Sequence, residues 1–305
     1  MLIKTVNVFK SFGCTEALND LNLQVPKGIA GFIGKNGSGK TTTIGILLGL
    51  LKQDRGDASI FGLDCWHDSF EIRRRLGVMH ENNAYPNNFT GRRFLEHVAG
   101  LYDVSQVKKQ AKKALKDVGL SDTRDKQIKT YSAGMLRRLG LAQALIGEPE
   151  LAILDEPTAN IDPSGRITLL QKIKQIHEDK GTSFLISTHI LSDLEKICNW
   201  LCIIDSGSIV DQGDVKKLAA KYSANIYKIE ASNCYLLASK IRDLEIVDRV
   251  WVENETIYCK VEDPTVFCKQ VPCVAAELGL QLQSFQQLLG TLEEIYKATA
   301  GVDEK

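Results

Sequence analysis

Apolar and polar positions alternate over residues 21–25, where Leu21, Leu23 and Val25 are separated by Asn22 and Gln24, the period-two pattern of a half-buried antiparallel strand. Val6 and Val8 around Asn7 supply a neighbouring strand, so the chain opens with β structure. Residues 28–33 read as a short strand that runs into glycine-rich 34–39. A helix follows, with Ile44, Leu47, Leu48 and Leu51 at i, i+3, i+4 and i+7. From about residue 90 to 147 the period is helical throughout: Phe94, Leu95, Val98 and Leu101, then Val107, Ala111, Ala114, Leu115 and Val118, then residues 136–146. The apolar runs 151–154 and 184–186 are short and uninterrupted, as strands buried on both faces are, and Leu169, Leu170, Ile173 and Ile176 lie on a helix between them. This β-α-β order predicts a parallel sheet carrying a helical insertion.

Polar residues around 216–224 separate that unit from a tail of different charge. Residues 225–305 hold 8 Lys+Arg against 13 Asp+Glu, in a chain whose 38 basic and 38 acidic residues cancel. We therefore expect two domains, 1–218 and 225–305. In the tail the pattern reads strand (226–230), helix (235–242), strand (246–252), strand (256–261), helix (265–278, with Pro272 inside it), strand (280–285) and a final helix. Thr291 with Glu294 forms a capping box for that last helix. The order β-α-β-β-α-β is that of a small α+β, ferredoxin-like split unit.

The composition, 44% hydrophobic and 25% charged, is that of a globular protein and excludes wholesale disorder. Zero net charge removes any general attraction to nucleic acid or to an anionic membrane. The densest apolar stretch, 44–51, has eight residues and two glycines, far below the ~20 that span a bilayer. No cationic leader precedes an apolar segment at the N-terminus, so a cytoplasmic location is expected. The eight cysteines form no C-x-x-C pair and read as reduced thiols. Lys108, Lys109, Lys112, Lys113 and Lys116 make a basic face on one helix. Without interleaved aromatics it reads as a solvated face rather than an RNA or lipid contact.

The chemistry concentrates in two places. Gly34-Lys35-Asn36-Gly37-Ser38-Gly39-Lys40-Thr41 matches the phosphate-binding pattern G-x-x-x-x-G-K-[ST] between a strand and a helix. Its glycines let backbone N–H groups face a phosphate, the helix N-terminus adds partial positive charge, and Lys40 reaches the β- and γ-phosphates while Thr41 ligates magnesium. Thr42 follows at the same helix start. The strand 151–154 delivers Asp155 and Glu156 at its carboxyl end, where ligands bind in open α/β sheets. Asp155 is placed to hold magnesium, and Glu156 to polarise the water that attacks the γ-phosphate.

With these motifs in this order, residues 1–218 resemble the ATP-binding cassette family. Tyr131-Ser132-Ala133-Gly134-Met135 is similar to its signature L-S-G-G-Q, with Ala133 and Met135 departing from the pattern. The resemblance implies that Ser132, Gly134 and the adjoining helix N-terminus meet the γ-phosphate of ATP held by a second copy. It further implies that Asp162, in Ala159-Asn160-Ile161-Asp162, lies in a loop coupling two such sites. His189, after Ser187-Thr188, would contact the γ-phosphate and orient water with Glu156, and Phe12 would stack on adenine. Glu81 stands where the family has a glutamine and would serve as a further magnesium ligand.

The implied fold is a RecA-like parallel core with an antiparallel β subdomain and a helical insertion. The implied function is ATP hydrolysis driving a membrane exporter whose transmembrane subunit is a separate, polytopic polypeptide. Partners would be a second copy and that subunit, with contact to the cytoplasmic face of the membrane only through it and no nucleic acid. The tail segment Thr291-Leu292-Glu293-Glu294-Ile295-Tyr296 resembles one near the ends of such subunits. The alternative is a soluble cassette ATPase acting on ribosomes, DNA or a cofactor-assembly complex. A GTPase reading lacks the guanine-reading N-K-x-D.

Overall fold

The computed structural model describes residues 1–102, 106–190, 194, 197–223 and 225–287. The expected final helix, with Thr291 and Glu294, lies outside the described residues, as does the segment 291–296. Two compact units divide the chain, Met1–Val215 and Lys216–Lys305. Among the described residues no helix is long and apolar enough to cross a membrane.

The first unit begins with β1 (Ile3–Phe12), β2 (Thr15–Leu21) and β3 (Gln24–Val25), then β4 (Ile29–Ile33) and α1 (Lys40–Leu47). Next come β5 (Arg55–Ile60), β6 (Leu63–Asp64), α2 (Ser69–Arg74) and β7 (Leu76–Met79). The insertion is α3 (Gly91–Gly100), α4 (Val107–Asp117) and α5 (Ala133–Leu145). The chain then returns through β8 (Leu151–Asp155), α6 (Pro163–Lys180), β9 (Ser183–Thr188), β10 (Trp200–Asp205) and β11 (Ser208–Asp214). β2, β1, β5 and β6 form an antiparallel sheet in that order, with β3 also on β1. The second sheet has the order β11-β10-β4-β9-β8-β7, parallel from β10 to β7 with β11 an antiparallel edge.

Every residue of β4, β8 and β9 is buried, which is why these strands read as unbroken apolar runs. Residues 21–25, which alternate as one strand would, belong to two. β2 ends at Leu21, and β3 rejoins β1 only at Gln24. Thr5 spans the break with its side chain, its hydroxyl donating to Leu21 O and accepting from Leu23 N, both at 2.8 Å. On β1 the ladder slips around Asn7, whose φ is +48° and whose N–H is taken by Asn22 Oδ1. The helical stripe of 44–51 is likewise cut short: α1 stops at Leu47 because Gly49 turns left-handed at φ +64° against Cys65 O.

The second unit starts from α7 (Val215–Ser223), a helix that opens on the last residue of the first unit, and continues as β12 (Ile226–Ala231), α8 (Cys234–Ile241) and β13 (Val247–Glu253). It ends with β14 (Thr256–Val261), α9 (Pro264–Glu277) and β15 (Leu282–Gln287). The antiparallel sheet has the order β13-β14-β12-β15, the strand order of a ferredoxin-like unit. α9 runs through Pro272. Its core is its own, with Phe267, Leu237, Ile241 and Val271 packed on Ile229, Ile257 and Cys259.

The thiols divide by burial. Cys14, Cys268 and Cys273 are exposed, whereas burial pushes Cys65, Cys202 and Cys259 up to about 12 and raises Cys198 as well. In native protein at neutral pH a thiol reagent should therefore modify Cys14, Cys268 and Cys273 rapidly, half-buried Cys198 more slowly, and buried Cys65, Cys202, Cys234 and Cys259 only on unfolding. Fast modification of any of those last four would show that one of the cores is open.

Candidate active site

β4 ends at Ile33, and the next six residues turn back under its carboxyl end into α1. Gly34 admits no side chain: a Cβ there would lie 2.5 Å from Ile204 O and 2.4 Å from Ser38 Oγ. Gly39, the residue before α1, has φ +106° and is packed against Leu18 and the carbonyl of Ala17 on β2. The antiparallel sheet thus braces the loop from one side. Lys35, Asn36 and Gly37 form its exposed rim, and Ser38 is buried beneath it. Lys40 is only 7% exposed and folds back into the loop, donating to Gly34 O at 2.6 Å and to Lys35 O at 3.1 Å.

That ammonium sets the electrostatics of the site. Desolvation lowers its pKa, while Glu156, Asp155 and Glu81, in that order, oppose the shift. The three carboxylates come from the ends of two different strands. Asp155 closes β8 and lies level with Ser187 of β9, whose hydroxyl donates to its carboxylate. Glu156, one residue further, has φ +45°, a conformation that costs a non-glycine residue about 1–3 kcal/mol unless its surroundings enforce it. Its N–H donates to Ser187 O and Ser187 Oγ, each at 3.1 Å, and these bonds hold the turn. The Glu156 carboxylate is buried, and His189 Nδ1 lies 3.0 Å from both of its oxygens. His189 itself is half exposed, one residue past β9.

The remaining sequence-predicted residues lie around this centre. Phe12 ends β1, 49% exposed, with Lys10 Nζ 5.5 Å above its ring, at the hairpin whose second strand touches Gly39. Thr41 is exposed and Thr42 half-buried in the first turn of α1. Ser132 caps α5 by accepting from Met135 N at 3.3 Å, and Ser132 and Ala133 are exposed at that helix end. Gly134 faces Ile161, leaving 3.3 Å between a Cβ built there and Ile161 Cγ2. Asp162 caps α6, accepting from Gly165 N and Ser164 Oγ, and these bonds lower its pKa. Glu81 is exposed just after β7, and its carbonyl is held by Arg137. The structure gathers Lys40, Asp155, Glu156, His189 and the charge of Glu81. It records no hydrogen bond or ion pair from Ser132, Gly134 or Asp162 to that group.

These residues suit a nucleotide. Ser38 Oγ and Thr158 Oγ1 are buried polar atoms without a partner, one in the loop after β4 and one in the turn after β8. Among the described residues no three His, Cys, Asp or Glu side chains converge as a metal cage. Magnesium held with a nucleotide needs only one or two side-chain oxygens, phosphate oxygens and water supplying the rest. Reading the sequence did not single out Ser187 or Arg137. Ser187 was legible in principle, since parallel pairing of two apolar runs sets it beside Asp155. Arg137 carried no signal, because its partners are main-chain atoms.

The family model described as ABC transporter matches residues 18–159. The daunorubicin/doxorubicin resistance ATP-binding protein of Streptomyces peucetius is 30% identical, over 98% of this chain and 92% of that protein. The bacitracin transport ATP-binding protein of Bacillus licheniformis is 37% identical, over 72% of this chain and 73% of that protein. Among solved structures, an ATP-binding subunit of an ABC transporter aligns at TM-score 0.65 and 25% identity, over 73% of this chain and 93% of that one. A dimeric cassette bound to ADP and phosphate has the same fold, at TM-score 0.63 and 22% identity, over 70% of this chain and 98% of that one.

Lys40→Ala should weaken binding of Mg-ATP by roughly 10- to 100-fold, since a hydrogen bond to a charged group is worth about 1.5–3 kcal/mol. Titration with a fluorescent ATP analogue measures this, and unchanged affinity would remove the loop after β4 from the site.

Proposed function

This chain belongs to the ABC transporter family, and from that premise we propose that it powers an exporter as an ATP-hydrolysing subunit acting on a separate membrane polypeptide. Nucleotide binding and ATP hydrolysis come with the family. The observation that carries the catalytic assignment is the pairing of a buried Glu156 carboxylate with His189, beside the Lys40 ammonium, at the carboxyl ends of β4, β8 and β9.

In this reading the substrate is Mg-ATP, with magnesium neutralising the phosphates on which charge develops. Lys40 exchanges its carbonyl partners for the β- and γ-phosphate oxygens. Thr41 and Asp155 hold the metal, and Ser187 fixes the Asp155 carboxylate by its hydrogen bond. Glu81 supplies a further metal-facing oxygen. Glu156 accepts the proton of the attacking water, and His189 keeps its carboxylate in place and faces the transferred phosphate. Phe12 offers its open ring to adenine. Asn36, Gly37 and Ser38 contribute the loop amides.

The exposed N-terminus of α5, with Ser132 and Gly134, then serves a second copy, and Asp162 lies in the loop between the sites. Such a homodimer would bind at the cytoplasmic face of the membrane through its transmembrane partner. The S. peucetius and B. licheniformis relatives are a drug-resistance and an antibiotic-transport protein, which supports an exporter and gives no support to the soluble alternative.

Glu156→Gln separates binding from chemistry. It should leave ATP affinity near wild type, reduce hydrolysis by roughly 10²- to 10⁴-fold, and accumulate an ATP-bound dimer on size exclusion. Turnover near the wild-type rate would reject Glu156 as the base. Purification in mild detergent should recover a polytopic membrane protein with the chain, whereas recovery with ribosomes or DNA would favour the soluble alternative.

A further inference from the structure

Arg137 lies five residues beyond the Ser132 cap, within α5, and is half-buried. Its Nε donates to Ala159 O at 3.1 Å, and its Nη1 donates to the carbonyl oxygen of Glu81. Ala159 belongs to the turn after β8, and its own N–H donates to Glu156 O at 3.2 Å. Glu81 belongs to the segment after β7. One guanidinium therefore joins the helix capped by Ser132, the turn that starts at the catalytic carboxylate and the segment bearing the third carboxylate near Lys40.

The guanidinium lines an open groove of about 350 Å³ together with Glu81, Tyr85, Ala133, Leu136 and Ala159, and it bridges the two loops along that groove. A guanidinium presents donors in a rigid planar fork that reaches two carbonyls at once, which a lysine ammonium on a flexible stem does not reproduce.

We propose that Arg137 is a positioning residue for ATP hydrolysis, fixing the Glu156 turn and the Glu81 segment relative to α5. This rests on the ATPase reading above. The guanidinium acts through Ala159 and Glu81 rather than by touching the nucleotide. A misplacement near 1 Å at a reacting group costs up to about 10²-fold in rate, which sets the expected scale.

The test is steady-state hydrolysis by the full chain, wild type against Arg137→Ala and Arg137→Lys, with analogue affinity, magnesium activation and melting temperature measured on each. Arg137→Ala should lower kcat by about 10- to 100-fold with KM and analogue affinity within about twofold, and should shift the magnesium activation curve through Glu81. Arg137→Lys should recover only part of the rate, and it carries the test alone if the alanine variant does not fold. In the Glu156→Gln background, Arg137→Ala should add little further loss, because both changes act on one carboxylate. Wild-type kcat in either variant, full rescue by lysine, or a loss that appears as weaker nucleotide affinity would overturn the proposal. An inactive wild-type protein would instead sink the ATPase reading itself.

Discussion

The site depends on burying the Lys40 ammonium without stranding it. A cation taken out of water is costly unless its surroundings compensate it, and Lys40 is hydrogen-bonded by carbonyls of its own loop in the field of the carboxylates of Glu156, Asp155 and Glu81. The parallel sheet makes this arrangement available. β4, β9 and β8 are neighbours, and Ile33 is level with Thr188 while Asp155 is level with Ser187. Neighbouring strands about 4.8 Å apart that end within one residue of each other present their next residues close together. Gly34 and His189 follow level ends, and Glu156 follows β8 one residue lower. A single packing decision, fully buried strands running the same way, thus places a cation, a base and an imidazole within one small volume.

That volume is held in a state which only surrounding structure sustains. Glu156 takes a left-handed backbone conformation, Ser38 and Thr158 keep buried hydroxyls unpartnered, and Lys40 has its charge disfavoured by burial. Each feature opposes folding locally. The compensation is remote and apolar: Phe32, Phe184, Ile33, Leu154 and Ile186 are buried directly behind the site on the same strands. On the proposed mechanism, groups held this way act on developing charge where water is excluded, and there they are worth more than in solvent.

Much of this was legible in the sequence because its causes are local. Unbroken apolar runs announce strands buried on both faces, and a glycine loop between strand and helix announces a phosphate cradle whatever the rest of the chain does. The ferredoxin-like order of the second unit was readable for the same reason, each element showing its own period. The break of residues 21–25 into β2 and β3 was not, because a hydroxyl from Thr5, 16 residues earlier than Leu21, substitutes for ladder bonds. Nor was the exposure of Leu101, which satisfies a helical period and lies just past the end of α3. Arg137 marks the same limit within the site. Its partners are carbonyl oxygens, which every residue possesses, so no choice of side chain at positions 81 or 159 reports the contact.

The two phosphate-binding surfaces of the proposed function differ in a way that bears on control. The loop after β4 is recessed, and its cation is held by buried neighbours, so it is formed before any ligand arrives. The start of α5 is exposed, with one amide capped by Ser132 and no acidic residue in its first turn. Free amides at a helix start carry partial positive charge, but in open solvent water screens them and satisfies them cheaply. They gain strength only when a surface closes over them and excludes that water. On the proposed reading, such a chain binds nucleotide with its recessed half and commits its exposed half only when a second copy closes over it, which would make hydrolysis conditional on assembly.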